Sequence, residues 1–273
     1  MTKTVIIKDF FLNLKSDFKG TVRLDSADTI FVKFLANPPS GFFEAEINGY
    51  KLLKKAIPAN IPKILFTCKN GIALELVQSR PVDITSIHKL AEVVAALHSF
   101  EVDKYGANWK GFIGPLYMDN TPKQGYGEYF LTNRIEPYVK TAYDTGLISN
   151  NLKEKILQIA IDFKDGYDES NTPRIVHGDL WNGNIIFSDE PYVIDPAAYA
   201  ADPEIDLAMI HLFNIPYLTE FMATYKTIAL LKEGYEYRIL VNQLFYLLVH
   251  VLLFEGHYVN ELNSVADRCI TQK

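Results

Sequence analysis

Cysteines are scarce in this chain, and basic residues are not in excess. Cys68 and Cys269 are the only cysteines among 273 residues, and they lie too far apart in the sequence to form a run of closely spaced metal ligands. A disulfide scaffold or a zinc site is therefore not expected, and a reducing cytoplasm suits the composition best. The chain has 27 basic and 33 acidic residues and a formal net charge of −6, which argues against nucleic acid as a partner.

Long apolar runs are also missing. The longest, Ile239–Phe254, has 16 residues and contains Asn242, Gln243 and His250, whereas a membrane span needs about 20 mostly apolar residues. Met1–Asp9 has no apolar segment of the kind found in signal peptides. We therefore expect a buried helix at Ile239–Phe254 and no membrane association. The hydrophobic fraction of 48% instead indicates a globular protein with one large domain or two lobes.

The first part of the chain is predicted to fold as a small unit with the order β-β-α-β-β. Short β-branched or aromatic runs separated by turn residues such as Asp25–Asp28 indicate strands, and apolar residues at helical spacing indicate a helix. A phosphate-binding loop between the first two strands is expected at residues 14–20, where a single glycine leaves its contacts unassigned. The predicted strands are Thr21–Leu24, Ile30–Leu35, Ile64–Phe66 and Ile72–Val77, and the predicted helix is Phe43–Lys55.

The rest of the chain is predicted to be mainly helical. The boundary is expected near Val77–Pro81, which gives an N-terminal lobe of residues 1–78 and a C-terminal lobe of residues 79–273. The pattern predicts a loop over Gly106–Gln124, short strands near Ile175–Val176 and after it, and three helical stretches at the end. Earlier helices are predicted at Ile84–Phe100, at Glu128–Thr145 with a kink at Pro137, and at Asn151–Phe163.

One segment carries a pattern typical of phosphoryl transfer. It reads His177-Gly-Asp179-Leu-Trp181-Asn-Gly-Asn184. The interval of five residues between Asp179 and Asn184 is the interval in the protein-kinase catalytic loop, H-R-D-L-x-x-x-N. Glycine in place of arginine is the difference that separates aminoglycoside and choline phosphotransferases from protein kinases. His177 is more simply interpreted as a support of this loop than as a proton carrier.

A predicted hairpin follows this segment. Ile185–Phe187 and Tyr192–Ile194 are short apolar runs around a four-residue turn, so Asn184 and Asp195 are expected to face each other at the open end. Asp179 enters the first strand from the preceding loop. Two of these three oxygen-bearing side chains can bind Mg²⁺, and the third can accept a proton from a hydroxyl group.

Lys33 interrupts an otherwise apolar predicted strand. An exposed edge strand would explain a lone lysine, but beside a phosphoryl-transfer motif we expect it to hold the α- and β-phosphates of a nucleotide. Its expected partner is a glutamate on the next helix, and Glu46, which lies deeper in the helix, is preferred to Glu44. The strand that ends the small lobe would present the backbone carbonyl of Glu75 and the N–H of Val77 to adenine.

The segment His177–Asn184 closely resembles the H-G-D-L-W-[SN]-G-N signature of the fructosamine kinase (ketosamine-3-kinase) family. The block Asp195-Pro-Ala-Ala-Tyr199 and the later Glu204-Ile-Asp206-Leu-Ala-Met resemble two further family blocks. The resemblance runs from about residue 30 to residue 260, and it is weak over the first 25 residues. Asn182 departs from the serine of many members.

This resemblance implies an α+β, two-lobed, protein-kinase-like fold, with a small antiparallel sheet in the first lobe and a mainly helical second lobe. It implies ATP-dependent, Mg²⁺-assisted phosphorylation of a ketosamine at the 3-hydroxyl of its sugar, on a small molecule or a glycated protein side chain. The 3-phosphate makes the adduct unstable and releases the amine. A cytoplasmic monomer is expected. The implied roles are Asp179 as catalytic base, Asn184 and Asp195 as Mg²⁺ ligands, Lys33 paired with Glu46, and Trp181 beside the acceptor.

Two other interpretations compete. A kinase for another hydroxyl, such as that of an aminoglycoside, choline or homoserine, would use the same catalytic groups, but Trp181 and the Asp195–Tyr199 block do not support it. A non-catalytic, kinase-like binding protein usually lacks at least one catalytic group, and none is missing here. Asp206 is expected to brace the catalytic loop, whereas Arg134 could either form a structural pair or reach the substrate.

Overall fold

The first described element is a helix that the sequence patterns do not predict, α1 (Lys3–Asn13). Ile7 and Phe11, four residues apart, are buried, and the Phe11 ring packs against Phe34 and Phe66 at centroid distances of 6.1 and 5.2 Å. Packing of this one side therefore stabilises a helix whose apolar pattern is otherwise weak. The computed structural model describes residues 3–24, 28–229 and 231–272.

Four antiparallel strands and a second helix follow, as predicted. They are β1 (Phe18–Arg23), β2 (Thr29–Phe34), α2 (Phe42–Leu53), β3 (Ile64–Cys68) and β4 (Gly71–Glu75). The strands form one sheet in the order β1-β2-β4-β3. Because Ile30 and Val32 are buried on one face of β2, Lys33 lies on the opposite face.

Only part of the expected loop at residues 14–20 is a loop in the structure. Residues 14–17 connect α1 to β1, whereas Lys19 and Gly20 lie within β1. The prediction of a loop between two strands at this point was wrong, because a helix and not a strand precedes these residues. β1 and β2 pair antiparallel, and residues 25–27 of the predicted turn Asp25–Asp28 lie outside the described residues.

Helices and short two-stranded sheets form the remainder. In chain order they are α3 (Ile84–His98), β5 (Gly111–Ile113), β6 (Leu116–Met118), α4 (Tyr126–Tyr129), α5 (Glu136–Asp144), α6 (Asn150–Gly166), β7 (Arg174–Val176), β8 (Ile185–Ile186), β9 (Tyr192–Val193), β10 (Tyr199–Ala201), α7 (Glu204–Phe213), α8 (Leu218–Ile228), α9 (Tyr235–Leu253) and α10 (Val259–Thr271). The hairpin β5–β6 lies within the segment predicted as a loop. The sequence patterns miss it, because strands of three residues are too short to show alternating polarity. Among the residues that the structure describes after β10 there are four helices, where three are predicted.

The helix predicted over Glu128–Thr145 is interrupted by a wider turn. A π-helical segment, Phe130–Ile135, lies between α4 and α5. Pro137 lies in the first turn of α5, directly after this segment. Proline cannot donate a backbone hydrogen bond, so the kink predicted at this residue takes the form of a π-helical insertion before it.

Helix α9 is long and apolar enough to cross a membrane, judged by length and composition alone, and it is the one such helix within the described ranges. In the folded chain, 67% of its most apolar 18-residue window is buried inside the protein. It packs against α5, α7 and α10. The structure therefore makes it a core helix, as predicted for Ile239–Phe254.

Apolar packing joins the N-terminal sheet region to the helices. Tyr50, Leu53 and Leu74 belong to the same buried cluster as the apolar residues of α3 and α9. A second, smaller cluster lies between α1 and the sheet and includes Ile7 and Ile30. The α+β architecture is as predicted, whereas the division into residues 1–78 and 79–273 stays a prediction.

Candidate active site

Three charged side chains from distant parts of the chain meet beside the sheet. The Lys33 ammonium lies 2.8 Å from both carboxylate oxygens of Glu46 and 3.0 Å from Asp195 Oδ1. Glu46 is buried and Glu44 is exposed, so the glutamate preferred from the sequence is the one that contacts the lysine. Burial opposes the charge on Lys33, but the two carboxylates outweigh this effect and raise its pKa.

The hairpin that precedes Asp195 does not have the predicted register. Ile185 pairs with Val193, so Asn184 lies opposite Ile194, whose N–H donates to the Asn184 carbonyl at 3.0 Å. The prediction that Asn184 faces Asp195 across the strands was therefore wrong by one residue. The cause is a connecting loop one residue longer than the predicted turn of four.

A left-handed backbone conformation brings Asp195 into the site in spite of this shift. Its φ is 54°, which is uncommon for a residue other than glycine, and its N–H donates to the buried Tyr50 hydroxyl at 3.0 Å. Its second carboxylate oxygen lies 3.1 Å from Lys19 Nζ. Burial opposes ionisation of Asp195, but Lys33 and Lys19 outweigh it and lower its pKa. The strained backbone is thus held by a hydrogen bond and by ion pairs.

Asp179 and Asn184 lie side by side at the same site. The Asn184 amide nitrogen donates to Asp179 Oδ2 at 2.8 Å and to the Asp179 carbonyl at 2.9 Å. A single 3₁₀ turn, Asn182–Asn184, makes this contact possible over five residues. Burial raises the pKa of Asp179 to about 7, and the hydrogen bond from Asn184 opposes the rise.

Asp206 holds the loop that carries Asp179. Its Oδ2 accepts the His177 N–H at 2.6 Å, and its Oδ1 accepts the Gly178 N–H at 2.8 Å. The His177 ring contacts the Ile194 carbonyl through Nε2 at 3.0 Å and accepts the Asp179 N–H through Nδ1 at 3.3 Å. Burial lowers the His177 pKa, and a neutral imidazole can both donate and accept these bonds. Both side chains therefore fix the backbone that leads into Asp179.

A cavity of about 320 Å³ brings the predicted polar residues together. Its lining includes five of them: Lys33, Glu46, Asp179, Asn184 and Asp195.

Three aromatic residues that the sequence analysis missed also line this cavity. They are Phe42, Trp109 and Phe112. The Phe42 and Phe112 rings are in contact at 5.4 Å, which joins α2 to the β5–β6 hairpin. No local pattern in the sequence identifies Trp109 as a cavity residue, because its position depends on how distant segments pack.

Three residues predicted to bind ATP or the substrate are not part of the described cavity lining. The Trp181 side chain is 40% exposed, and its ring packs edge-on against Phe213 at 6.3 Å. A Cβ atom at residue 183 would lie 2.4 Å from this ring, so the indole lies directly over Gly183. Glu75 ends β4, and Val77 follows it in a connection without regular secondary structure. The roles assigned to Trp181, Glu75 and Val77 stay predictions.

Arg134 supports one wall of the cavity from behind. It is fully buried and donates to the Asp119 carbonyl at 2.7 Å and to Asn120 Oδ1 at 2.6 Å. Its guanidinium lies 4.2 Å from the centre of the Tyr199 ring. The Asn120 amide in turn packs against Gly111, which lines the cavity. Of the two roles left open by the sequence, the structure favours the structural one.

The donor set suits Mg²⁺. Asp195 offers carboxylate oxygens, and Asn184 offers its amide oxygen because the amide nitrogen is used by Asp179. Both Asp195 oxygens contact an ammonium group, which shows that this position attracts positive charge. Within the described part of the chain, no group of three His, Cys, Asp or Glu residues could hold a metal alone. Mg²⁺ commonly uses one or two protein ligands together with substrate phosphates.

The fold and the site together define a protein-kinase-like phosphotransferase. An antiparallel sheet carries a lysine paired with a helical glutamate, and the helical part supplies the Asp–Asn loop. The ADP-bound aminoglycoside phosphotransferase APH(2'')-Ib has the same fold, with a TM-score of 0.58 and 14% identity over 100% of this chain and 98% of the other. At that identity the likeness concerns the fold alone.

More specifically, the chain belongs to the fructosamine kinase family, whose model matches residues 17–272. A Thermobifida fusca crystal structure, provisionally named a fructosamine-3-kinase, is 35% identical with a TM-score of 0.87, over 92% of this chain and 88% of the other. A probable ketoamine kinase of Enterococcus faecium is 28% identical over 274 residues, covering 96% of this chain and 98% of its own. The protein is therefore an ATP-dependent kinase that acts on a hydroxyl group.

Proposed function

We propose that this kinase phosphorylates the 3-hydroxyl of ketosamines, the adducts of sugars with amines. The observation that carries the proposal is the placement of Asp179 in one cavity with the Lys33–Glu46 pair and Asp195, in a chain of the fructosamine kinase family. A 3-phosphate makes such an adduct unstable, so the amine is released. The activity would thus repair glycated amines, on small molecules or on protein side chains.

Positive charges would bind the phosphate groups of ATP at one end of the cavity. Lys33 would bind phosphate oxygens of ATP, and Glu46 holds its ammonium in place through two contacts of 2.8 Å. Asn184 and Asp195 would hold Mg²⁺, which neutralises negative charge on the phosphates. Lys19, in contact with Asp195, adds a further positive charge at the same end of the cavity.

Asp179 would act on the acceptor, the sugar hydroxyl, at the other side of the cavity. The Asn184 amide nitrogen donates a hydrogen bond to Asp179 Oδ2, and this bond fixes the orientation of the carboxylate. Asp179 Oδ1 would then accept the proton of the sugar hydroxyl. Trp109 and Phe112 offer apolar faces for the carbon skeleton of the sugar and exclude water. Trp181 would lie beyond the sugar, next to the amine. The backbone of Glu75 and Val77 would bind adenine at the other end.

The proposal also covers the organisation of the chain. Residues 1–78 would form the nucleotide-binding lobe and residues 79–273 the acceptor-binding lobe. We infer a cytoplasmic monomer, with neither nucleic acid nor a membrane as a partner.

NMR of the products after incubation with ATP, Mg²⁺ and a panel of acceptors tests the proposal. The panel contains fructosamine, ribulosamine and erythrulosamine beside an aminoglycoside, choline and homoserine. We expect phosphate on the 3-hydroxyl of at least one ketosamine. Phosphate on an aminoglycoside, choline or homoserine, without turnover of any ketosamine, would refute the proposed substrate and leave the kinase chemistry intact.

A further inference from the structure

Five aromatic rings form a continuous strip outside the cavity. The strip consists of Trp181, Phe213, His250, Phe254 and Tyr258. The Trp181 ring contacts Phe213 at 6.3 Å, and Phe213 contacts His250 at 4.6 Å. His250 then contacts both Phe254 at 5.5 Å and Tyr258 at 5.0 Å. Trp181 is 40% and Phe254 is 47% exposed, so this aromatic strip presents apolar surface to solvent at both ends.

The aromatic strip adjoins the cavity at two points. Trp181 lies two residues after Asp179, on the same loop. At the other end, Gly114 lines the cavity, and a Cβ atom there would lie 3.5 Å from Leu253, the residue that precedes Phe254. The strip is therefore continuous with the acceptor side of the site, where the substituent on the amine of a bound adduct would leave the cavity.

The aromatic strip is apolar and uncharged, which bears on the kind of amine substituent that could bind there. Burial lowers the pKa of His250, which therefore adds a neutral ring to the strip. The segments that supply the strip, residues 180–185, 209–217 and 250–261, contain no Lys or Arg, whereas Glu255 and Glu261 lie beside its outer end. An apolar or aromatic group can stack on such a surface, but none of these three segments offers a cation to a carboxylate.

We propose that the aromatic strip is a subsite for the amine substituent of the ketosamine and that it favours uncharged aromatic or long aliphatic groups over carboxylate-bearing ones. This inference rests on the proposed ketosamine kinase function. The sugar would bind in the cavity, and the substituent would lie along Trp181 and Phe213 towards Phe254.

The test uses three fructose adducts that share the reacting sugar and differ only at the amine: those of methylamine, benzylamine and glycine. Steady-state kcat/KM is measured at saturating ATP for the unmodified enzyme and for Phe254→Ala. We expect the benzylamine adduct to exceed the methylamine adduct by about 3- to 10-fold, the magnitude typical of one aromatic stacking contact, and the glycine adduct to be the poorest. In Phe254→Ala the benzylamine-to-methylamine ratio should fall towards one.

Two further variants make the test specific. Ile270→Ala removes another exposed apolar side chain, far along α10, and should keep the ratio of the unmodified enzyme. Phe254→Leu keeps apolar bulk and should lower the ratio if Phe254→Ala fails to fold. An unmodified enzyme that turns over all three adducts equally, or a ratio unchanged in a folded Phe254 variant, refutes the subsite alone. Turnover of none of the adducts refutes the proposed function and the subsite with it. A stable dimer that Phe254→Ala dissociates would assign the strip to a second copy of the chain instead.

Discussion

A Cβ atom on residue 178 would lie 2.5 Å from the carbonyl oxygen of Ala197. Gly178 also has a φ of 79°, a conformation that side chains disfavour, and it directly precedes Asp179. The glycine of the His-Gly-Asp motif is thus required by the close approach of two backbone segments. An arginine, as found in protein kinases, would not fit between them.

Gly178→Ala should therefore destabilise the fold strongly. We expect a loss of about 3 kcal/mol or more, because backbone strain adds to a steric overlap that no flexible side chain can relieve. Gly146→Ala is the matched control: its φ is 73°, but nothing lies within 4 Å of its Cβ position, so it should cost only about 1 kcal/mol. Urea unfolding of both variants measures the difference, and equal losses would show that the overlap is relieved.

Glu46→Ala should impair the use of ATP, whereas Glu44→Ala should not. Removal of Glu46 leaves Lys33 free to move towards Asp195, so the KM for ATP should rise or kcat should fall. Glu44, two residues away and exposed, is the natural control. Steady-state kinetics with varied ATP compares the two. Impairment by Glu44→Ala alone would contradict the assignment of the pair.

Asp179→Asn should lower kcat by roughly 10²–10⁴-fold, because an amide of the same shape cannot accept the proton of the acceptor hydroxyl. ATP affinity should change little, since Asp179 is proposed to act at the acceptor. Nucleotide binding measured by calorimetry checks this second point. A variant that no longer binds ATP would identify Asp179 as a metal ligand instead of the base.

Turnover should require Mg²⁺ strictly. Removal of the metal with EDTA should abolish activity, and added Mg²⁺ should restore it, because Asn184 and Asp195 offer oxygen ligands but no complete metal cage. Asp195→Ala should also be inactive while its circular dichroism spectrum stays that of the folded protein. Near-normal turnover in EDTA would contradict the two-ligand assignment.

The two thiols should differ sharply in reactivity. Cys269 is 1% exposed, and burial raises its pKa to about 12, so it carries almost no thiolate even at pH 9. Cys68 is only half-buried. A colorimetric thiol reagent should therefore modify one thiol in the native protein at pH 8–9 and two after unfolding. Labelling of Cys269 at the rate of Cys68 would show that α10 opens readily.

The sequence patterns predict local structure well where a helix or strand is long enough to repeat its period. The four strands of the sheet, α2, α3 and α6 are examples. The sequence patterns fail where tertiary contacts determine the secondary structure. Helix α1 depends on Phe11 packing against two phenylalanines of the sheet, and β5–β6 are too short to alternate visibly. The hairpin register was wrong by one residue, because turn length is not encoded in the apolar runs that flank it.

The candidate site is predictable to the extent that its chemistry is local. The interval from Asp179 to Asn184 and the lone Lys33 in an apolar strand mark the charged groups in advance. The positive φ of Asp195 and the aromatic walls Trp109 and Phe112 are not marked, because they depend on how distant segments pack. No local pattern indicates which indole faces the cavity.

The π-helical segment Phe130–Ile135 makes the number of residues between α4 and α5 important for the position of the side chains around it. A π turn holds one residue more than an α turn, and α5 continues directly after it. Deleting a single residue here would remove the wider turn, and it would rotate the residues on one side of the deletion by about 100° relative to the other. Arg134 would then leave Asn120 and Tyr199. This stretch should therefore tolerate almost no change in residue number in natural variants.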